Sequence, residues 1–368
     1  MQSWHESRDS EVTDLAHGPA PFANCVMVLH PVVGSGKVAA ILMGSGVKIG
    51  NVAAMQSPTD APLCLLQIHA HPDDEASKGA GATAMYHAQG IRTVLVCCTG
   101  GEEGDILNPA LDRDDVRNNL FAVRMAELDE SVRVLGYDTL HLLGYRDSGM
   151  PETEANARPD NFWNAPLDEA VDRFATILRS ERPQVVISYH EDREWYPHPD
   201  HIRVWEITEP AIARAADPGW VTEAGEPWQV AKLYFVSWSF GRVKALHDAH
   251  LQLGLESPFE RWFEGNFADR DERFTSRLDV GEYMPQRRAA LLAHATQVTP
   301  DGFWMKLPDE VSRNAYPWED FILETSNIDN GVAVGELETD LFAGLRGAGT
   351  QAAVSAVAGA GPVAEARA

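Results

Sequence analysis

The chain has 368 residues, of which 44% are hydrophobic and 8% aromatic, as is typical of a folded globular protein with one large α/β domain or two smaller ones. Its formal net charge of -25 and its lack of clustered Lys and Arg argue against a nucleic-acid partner. No apolar run reaches the roughly 18 to 20 residues that span a bilayer, so the sequence predicts no membrane partner either.

The two ends of the chain differ in composition from its middle. Residues 1–60 show weak hydrophobic periodicity and several glycines, which predicts a poorly ordered N-terminal extension. Residues 346–368 are rich in Ala and Gly and lack large apolar anchors, which predicts a disordered tail. The acidic opening stretch "MQSWHESRDSEVTDL" is unlike a secretory signal, and the four cysteines offer no disulfide framework. We therefore expect a cytoplasmic protein whose main domain covers residues 61–345.

Strands and helices alternate along the first part of this domain. Apolar runs predict strands at "LCLLQIH", "RTVLVCCT", "DTLHLLG" and "PQVVISYH", and helices are predicted at "SKGAGATAMYHAQG", "LFAVRMAELDESVRVLG", "PLDEAVDRFATILRSER" and from near "IRVWEI". Repeated βα units predict an α/β fold with a mostly parallel, doubly wound (Rossmann-like) sheet and helices on both faces. We expect a smaller C-terminal subregion to complete the pocket.

Three of the predicted strands end in polar clusters, "HAHPDDE", "TGGEEGD" and "YHEDREWYPHPDH". In parallel sheets ligands bind at the carboxyl ends of strands, so these clusters are expected to converge. Asp73, Asp74 and Glu75 follow the first strand directly, where mutual repulsion of their carboxylates would reduce stability. A bound dication would offset this clustered negative charge.

The first cluster supplies two candidate metal ligands. The residue before a proline favours extended geometry, so His71 should close the first strand, while Asp73 and Asp74 begin the turn into a helix. The stretch "YPHPDHIRV" repeats this corner after a later strand and offers His198 and His201. We choose His71, Asp74 and His201 as a set of two histidines and one carboxylate. The set suits one Zn²⁺ per chain, and Fe²⁺ or another divalent ion is also compatible.

The remaining polar residues of the two corners suggest catalytic roles. Asp73 would act as general base on a water whose pKa zinc lowers to about 7. His198 and Tyr196 would face the other side of the scissile carbonyl and stabilise the oxyanion. A single "HPDD" could instead be a helix N-terminus with favourable acidic residues, but two such corners favour a metal site. We expect His69 and His190 to support the site from behind rather than bind metal.

The motifs "AHPDDE" and "HPDH" resemble those of the PIG-L/LmbE-like family of zinc-dependent sugar deacetylases and amidases. The resemblance implies the same three metal ligands and the same base as those chosen above. It also implies that His198 stabilises the oxyanion and that Tyr196 is a mobile residue assisting it. Residues 61–345 would then form an LmbE-like catalytic domain.

Seven stretches in order, "HAHPDDEASKGA", "TGGEEGDILNPALD", "YRDSGMP", "YPHPDHIR", "GEPWQVAKLYF", "AHATQV" and "DLFAGL", resemble the branch of this family that hydrolyses mycothiol S-conjugates. This branch cleaves the amide of a small thiol–sugar conjugate, releasing an N-acetylcysteine S-conjugate (a mercapturic acid) and glucosaminyl-inositol. Lys78, in "ASKGA", favours this branch over the deacetylases that act on N-acetylglucosaminyl-inositol.

The resemblance further implies a set of side chains that contact the substrate, namely Lys78, Glu102, Glu103, Arg124, Asp147, His294 and Gln297. Two structural alternatives remain open. Arg124 and Glu127 lie three residues apart on a predicted helix, so they could form a surface ion pair. His294 and Gln297 are expected one helical turn apart, so they could form a satisfied pair in the core instead of part of the far pocket wall.

One departure from the resemblance leaves the substrate open. The loop "HEDREWYPHPDH" carries bulky Arg193, Glu194 and Trp195 where the amidases have a short Gly-Gly loop, and loops at a pocket mouth set specificity. The alternatives are a deacetylase of N-acetylglucosaminyl-inositol or another amino sugar, a related amidase of natural-product biosynthesis, and a conjugate-binding protein or transferase. A homo-oligomer is compatible with the sequence.

Overall fold

The computed structural model describes residues 62–191, 197–264 and 271–346. The predicted N-terminal extension lies outside these ranges, as do Tyr196, the bulky loop residues before it and the predicted tail beyond Arg346. The order and disorder predicted for the two ends therefore stay predictions.

A mixed sheet forms the centre of the described chain. Its strands are β1 (Cys64–His69), β2 (Arg92–Thr99), β3 (Thr139–Tyr145), β4 (Val185–Tyr189), β5 (Lys232–Val236), β6 (Ser276–Asp279) and β7 (Trp318–Ser326). The strand order is β3-β2-β1-β4-β5-β7-β6, in which the pairs from β3 to β5 are parallel, whereas β7 pairs antiparallel with β5 and β6. The mostly parallel, doubly wound α/β fold is thus confirmed, and its antiparallel edge is an addition.

The helices pack around this sheet and over the carboxyl ends of its strands. They are α1 (Asp74–Ser77), α2 (Ala80–Ala88), α3 (Asp114–Arg117), α4 (Leu120–Leu135), α5 (Leu167–Glu181), α6 (Pro199–Ala216), α7 (Phe240–Gln252), α8 (Glu260–Glu264), α9 (Met284–Ala293) and α10 (Asp309–Ala315). Every residue of β1 and of β4 is buried, as expected for strands covered on both faces. No helix in the described ranges is both long and apolar enough to cross a membrane.

The helix predicted at "SKGAGATAMYHAQG" is present as α2, but it begins at Ala80 rather than at Ser77, where the short helix α1 ends. Gly79 separates α1 from α2. Its φ is 75°, a left-handed backbone conformation that residues with a side chain rarely adopt. A Cβ atom at this position would lie 2.5 Å from Oε1 of Gln67. The backbone therefore makes a sharp turn directly after the first polar corner.

The sheet order reverses between β1 and β4. From β1 the chain moves outward through β2 to β3, and from β4 it moves outward in the other direction through β5. Ligands of open α/β sheets bind at such a switch point, beyond the carboxyl ends of the strands. Both His-Pro-Asp corners follow the two strands that flank this point, which brings them together.

Candidate active site

The two corners bring the predicted metal ligands into one cluster. One donor atom from each of His71, Asp74 and His201 lies within 4.8 Å of the other two, and all three residues are buried. Nε2 of His201 is 3.3 Å from Oδ2 of Asp74, and Nδ1 of His71 is 3.5 Å from the same oxygen. The structure therefore contains a His/Asp group able to hold a metal ion at the predicted position.

The protonation of Asp74 and His201 suits metal binding. Burial alone would raise the pKa of Asp74, but the Lys78 ammonium, 2.6 Å from Oδ1, and hydrogen bonding from the His201 and His71 rings hold it well below its usual value. Burial lowers the pKa of His201 to about 3, so this imidazole is neutral. Its ring stacks on Tyr189, with centroids 4.5 Å apart and planes 7° apart. A fixed carboxylate and a neutral imidazole are what a divalent cation requires.

His71 is oriented from behind by two carboxylates. Its Nε2 lies 3.1 Å from Oδ2 of Asp200 and 3.6 Å from Oδ1 of Asp147. Burial would lower the pKa of His71, but these carboxylates and Asp74 raise it well above its usual value. A metal ion bound to His71 would have to displace the proton on Nδ1. The proton on Nε2 would stay hydrogen-bonded to the two carboxylates, which fixes the orientation of the ring.

A second group of possible metal ligands shares His71. It comprises His71, Asp147, His198 and Asp200, again with donor atoms within 4.8 Å. Its carboxylates already accept hydrogen bonds from the loop after β3: Asp200 from N of Ser148 at 3.0 Å, and Asp147 from N of Gly149 at 2.8 Å. This group therefore supports the first cluster, and Asp147 lies behind His71 rather than on the pocket wall where a substrate contact was predicted.

Asp73 has an unusual backbone conformation. Its φ of 109° is strained for a residue other than glycine, and such strain occurs at functional sites. Its amide donates to Oε2 of Glu75 at 2.9 Å, and its Oδ2 accepts from Nη2 of Arg124 at 2.9 Å. Burial raises the pKa of Asp73, although Arg124 opposes the shift. The side chain lines the pocket next to Asp74, as a general base would require.

The predicted substrate contact Arg124 is buried beneath this corner. Only 3% of it is exposed, and its Nη1 donates to the carbonyl of Gly101 at 2.6 Å while Nη2 reaches Asp73 and the carbonyl of Pro72. The alternative of a surface pair with Glu127 is wrong, since Glu127 is also buried and accepts two hydrogen bonds from Thr296. Arg124 therefore ties the end of β2 to the first corner.

The other predicted substrate contacts fall into two groups. Lys78 and Gln297 line the pocket, while Glu102 and Glu103 lie in the loop after β2 and do not line it. Oε1 of Glu103 accepts from Nε of Arg146 at 3.0 Å. Burial raises the pKa of Glu102, whose Oε2 is buried without a hydrogen-bond partner among the described residues.

His294 pairs with a residue that the sequence did not suggest. It is fully buried, and its Nε2 lies 2.6 Å from Oε1 of Glu75. His294 is thus a buried core residue, as one alternative expected, but its partner is Glu75 rather than Gln297. Gln297 lines the pocket instead, and its Nε2 donates to the carbonyl of Asp105 at 2.9 Å. His294 supports the first corner from below, since Glu75 also holds the Asp73 amide.

His198 occupies the N-cap of α6. Its Nδ1 accepts from N of Asp200 at 3.2 Å. Burial and the charge on His71 lower the pKa of His198 to about 4, so the ring is neutral and carries its proton on Nε2. The rings of His198 and His71 are 4.5 Å apart at their centroids. A neutral Nε2–H group is a suitable donor to an oxyanion, but His198 is not among the described residues that line the main pocket.

The pocket is lined by both polar and aromatic side chains. It is a cavity of about 490 Å³ whose lining includes Asp73, Asp74 and His201 as well as Trp238, Phe259 and Trp304. The ring centroid of Trp238 lies 5.8 Å from that of Phe259 and 5.7 Å from that of Trp304. We call these three side chains the aromatic wall. No motif in the sequence predicted this wall, although Trp238 follows the carboxyl end of β5, where ligands of such sheets bind.

A buried set of two histidines and one carboxylate, beside a second carboxylate with a raised pKa, is a donor set able to hold a metal ion of the kind found in hydrolases. The family model for PIG-L, the GlcNAc-PI de-N-acetylase, matches residues 66–212. With this match and the relatives described next, the chain belongs to the PIG-L family.

Two curated relatives align over nearly their whole length. The mycothiol S-conjugate amidase of Streptomyces coelicolor is 39% identical over 77% of this chain and 98% of its own. The 1D-myo-inositol 2-acetamido-2-deoxy-alpha-D-glucopyranoside deacetylase of Geodermatophilus obscurus is 38% identical over 77% of this chain and 98% of its own. The solved N,N'-diacetylchitobiose deacetylase of Pyrococcus horikoshii covers 74% of this chain and 87% of its own, with 19% identity and a TM-score of 0.49. The predicted family is confirmed.

Proposed function

We propose that this protein is a zinc-dependent amidase of mycothiol S-conjugates that yields an N-acetylcysteine S-conjugate and glucosaminyl-inositol. The observation that carries the proposal is the aromatic wall, which shares a cavity of about 490 Å³ with the metal-ligand cluster. Because an acetyl group is much smaller than a substituted cysteine, a cavity of this size with an aromatic wall suits the larger acyl group. The 39% identity to a relative named as such an amidase supports the same substrate class.

The donor set fits the proposed ion. Imidazole nitrogens from His71 and His201 with a carboxylate oxygen from Asp74 form a ligand set that zinc uses in hydrolases and that Fe²⁺ also accepts. When bound, the ion would polarise the scissile carbonyl and lower the pKa of the attacking water. We propose one ion per chain, in a catalytic domain of residues 61–345 that works in the cytoplasm.

Asp73 would move the proton in this reaction. It accepts a proton from the water whose oxygen bonds to the amide carbon, and it then gives that proton to the amine nitrogen as the C–N bond breaks. The raised pKa of Asp73 favours this exchange, because a carboxylate with an ordinary pKa holds a proton less readily. Arg124 and the Glu75 carboxylate hold Asp73 in position during both transfers.

His198 would stabilise the tetrahedral intermediate. Its Nδ1 is held by the Asp200 amide, so Nε2–H is its hydrogen-bond donor toward the oxyanion. Because the ring is neutral, it stabilises the oxyanion through an oriented dipole and need not gain or lose a proton. Tyr196 remains the proposed assistant of His198. We assign substrate contacts to Lys78 and Gln297, which line the pocket, and positioning roles to Arg124 and Asp147.

The second candidate function is removal of acetate from N-acetylglucosaminyl-inositol. It would use the same metal ligands and base, and the 38% identity to a relative named as that deacetylase favours it. The two functions differ in the acyl group that is released from the amino sugar. The aromatic wall would select that acyl group.

Mass spectrometry of reaction products separates these functions. Zinc-loaded protein would be incubated with a bimane conjugate of mycothiol and, separately, with N-acetylglucosaminyl-inositol, with an Asp73→Asn variant as the inactive control. We expect the N-acetylcysteine bimane adduct and little acetate. Acetate alone would establish the deacetylase, and neither product from metal-loaded protein would reject both functions.

A further inference from the structure

A second, smaller cavity lies behind the aromatic wall. Its volume is about 50 Å³, and it shares Trp238, Phe259 and Trp304 with the main pocket. Its polar lining consists of Arg242, His250, Arg287, Ser312 and Tyr316. Two guanidinium groups thus line a cavity that has no carboxylate in its described lining.

The two arginines stack on the aromatic wall without an acceptor for their charge. Arg242 is 6% exposed, and its guanidinium lies 4.3 Å from the ring centroid of Trp238. The guanidinium of Arg287 lies 5.6 Å from the ring centroid of Trp304, and its buried Nε has no hydrogen-bond partner. Among the described residues, no ion pair or hydrogen bond joins either guanidinium to an acceptor. Leaving a buried charge unpaired costs more free energy than a cation–π contact returns.

The nearby carboxylates are occupied elsewhere. Glu319 accepts from two backbone amides at the start of α2, at 3.1 and 2.9 Å. Asp309 lies 3.2 Å from Nη1 of Arg288. Asp320, which the Tyr316 hydroxyl reaches, lies 2.7 Å from Nε of Arg277. Burial and the nearby Arg242 charge lower the pKa of Arg287 to about 10, against the opposing effects of Glu319 and Asp309.

His250 adds a second buried polar group without a partner. It is 3% exposed, and its Nδ1 donates to the carbonyl of Leu246 at 2.7 Å. Its Nε2 is buried without a hydrogen-bond partner among the described residues. Native structures seldom leave such groups unsatisfied, so this observation independently indicates a polar ligand at this place.

We propose that the small cavity binds an oxyanion no larger than phosphate, held by Arg242 and Arg287. The oxyanion is either a free anion or a carboxylate carried by the ligand of the main pocket. Guanidinium groups bind both through paired, charge-assisted hydrogen bonds. Because the same two side chains stack on Trp238 and Trp304, the bound oxyanion also holds the aromatic wall in place. Anion binding in the small cavity would thereby affect the position of the aromatic wall in the main pocket.

Titration of the full chain with sodium phosphate and with sodium acetate, at fixed pH and ionic strength, tests the free anion. Tryptophan fluorescence and the thermal midpoint would be followed in wild type, Arg242→Met, Arg287→Met and the control Arg182→Met. Arg182 stacks on Trp228 at 4.3 Å, outside the described lining of both cavities. We expect saturable binding in wild type and the control, weakened about tenfold or more in the other two variants.

A stability measurement keeps this test informative if fluorescence is insensitive. Without added phosphate or acetate, Arg242→Met and Arg287→Met should be at least as stable as wild type, because each removes an unpaired charge, buried in Arg242 and half-buried in Arg287. Phosphate should then raise the thermal midpoint of wild type and the control but not of these two variants. Equal responses of all four proteins would overturn a free-anion site.

A kinetic comparison tests the carboxylate of a ligand, and this arm alone rests on the proposed function. Mycothiol conjugates whose S-substituent ends in a carboxylate or in the matching carboxamide would be compared in wild type and Arg287→Met. A preference of about tenfold in kcat/KM for the carboxylate, lost in the variant, would assign the oxyanion to the substrate. Absence of free-anion binding together with an unchanged preference would reject the proposal. Absence of turnover with both conjugates would instead count against the amidase function, which the binding assay does not need.

Discussion

The two corners, 71–74 and 198–201, begin with the same three residue types, His-Pro-Asp, after neighbouring parallel strands, yet their aspartates do different work. Asp73 has a left-handed backbone and its side chain lines the pocket. Asp200 has none of its surface exposed, and it holds His71 and the loop after β3. The residue that follows each of these aspartates, Asp74 in one corner and His201 in the other, belongs to the proposed metal-ligand set together with His71.

Helix capping and helix length explain the difference. His198 caps α6 through its side chain, and that helix continues for 18 residues, so Asp200 lies in a regular first turn and faces inward. No side chain caps α1, which ends after four residues before Gly79. The first corner is therefore held by Arg124 and Glu75 rather than by its helix, and this support turns the Asp73 carboxylate toward the pocket.

Removal of a proposed metal ligand should reduce zinc content and activity more than any other substitution, and by the same amount in both corners. Asp74→Ala and His201→Ala should each lose zinc binding and activity, because hydrolytic zinc sites need three protein ligands. Metal content by mass spectrometry and product release would be measured together, with Asp114→Asn, whose side chain is 92% exposed, as the control. A variant that kept full metal content would show that its residue is not a ligand.

The aspartate that follows proline should distinguish the corners. Asp73→Asn should keep its zinc and lower kcat by about 10²- to 10⁴-fold, since it removes a general base without removing a ligand. Stopped-time assays at several substrate concentrations and metal analysis would measure both quantities. Loss of zinc with kcat restored by excess metal would contradict the assignment.

The corresponding substitution in the second corner should weaken metal binding. Asp200→Asn should weaken zinc affinity or activity by about 10- to 100-fold, because it removes the carboxylate that orients His71. Competition with a chelator of known affinity would measure the change. A loss of kcat at saturating zinc with unchanged affinity would place Asp200 in the chemistry instead.

The buried pair of Glu75 and His294 beneath the first corner should make the stability of the folded protein depend on pH. Burial raises the pKa of Glu75, but His294 and Ser131 more than reverse this, so its pKa is lowered and its stabilisation is lost as pH falls through the folded value. Burial lowers the pKa of His294, but Glu75 raises it above the ordinary value, so its stabilisation is lost as pH rises through the raised value. Both contributions are fully present between about pH 4.3 and 6.5.

Denaturant unfolding of wild type and Glu75→Gln across pH would measure this effect. The difference in the free energy of unfolding should be about 1 to 3 kcal/mol inside that window and smaller on both sides. Glu130→Gln, in an exposed pair with Arg133, is the control and should shift stability by less than about 1 kcal/mol. A difference for Glu75→Gln that is independent of pH would mean that the pair is not ionised in the folded protein.

Local sequence determined the parallel core and the contents of both corners. Continuous apolar runs identified β1, β2 and β4, because strands buried on both faces need such runs whatever their neighbours are. Proline after each histidine fixed an extended residue at the end of a strand, so the candidate ligands His71, Asp74 and His201 followed from residue type and spacing. The antiparallel strands β6 and β7 lack this local pattern, and they pair only after the chain has returned to the sheet.

Tertiary structure alone decided which polar side chains face the pocket. Arg124, Asp147 and His294 were predicted to touch substrate, but each is buried behind the first corner or behind His71, paired with a residue distant in sequence. The partner of a buried charge depends on long-range packing, which spacing along one helix or strand does not encode. The aromatic wall and its arginines likewise come from four separate segments, around residues 238–242, 259, 287 and 304, and only the fold brings them together between the two cavities.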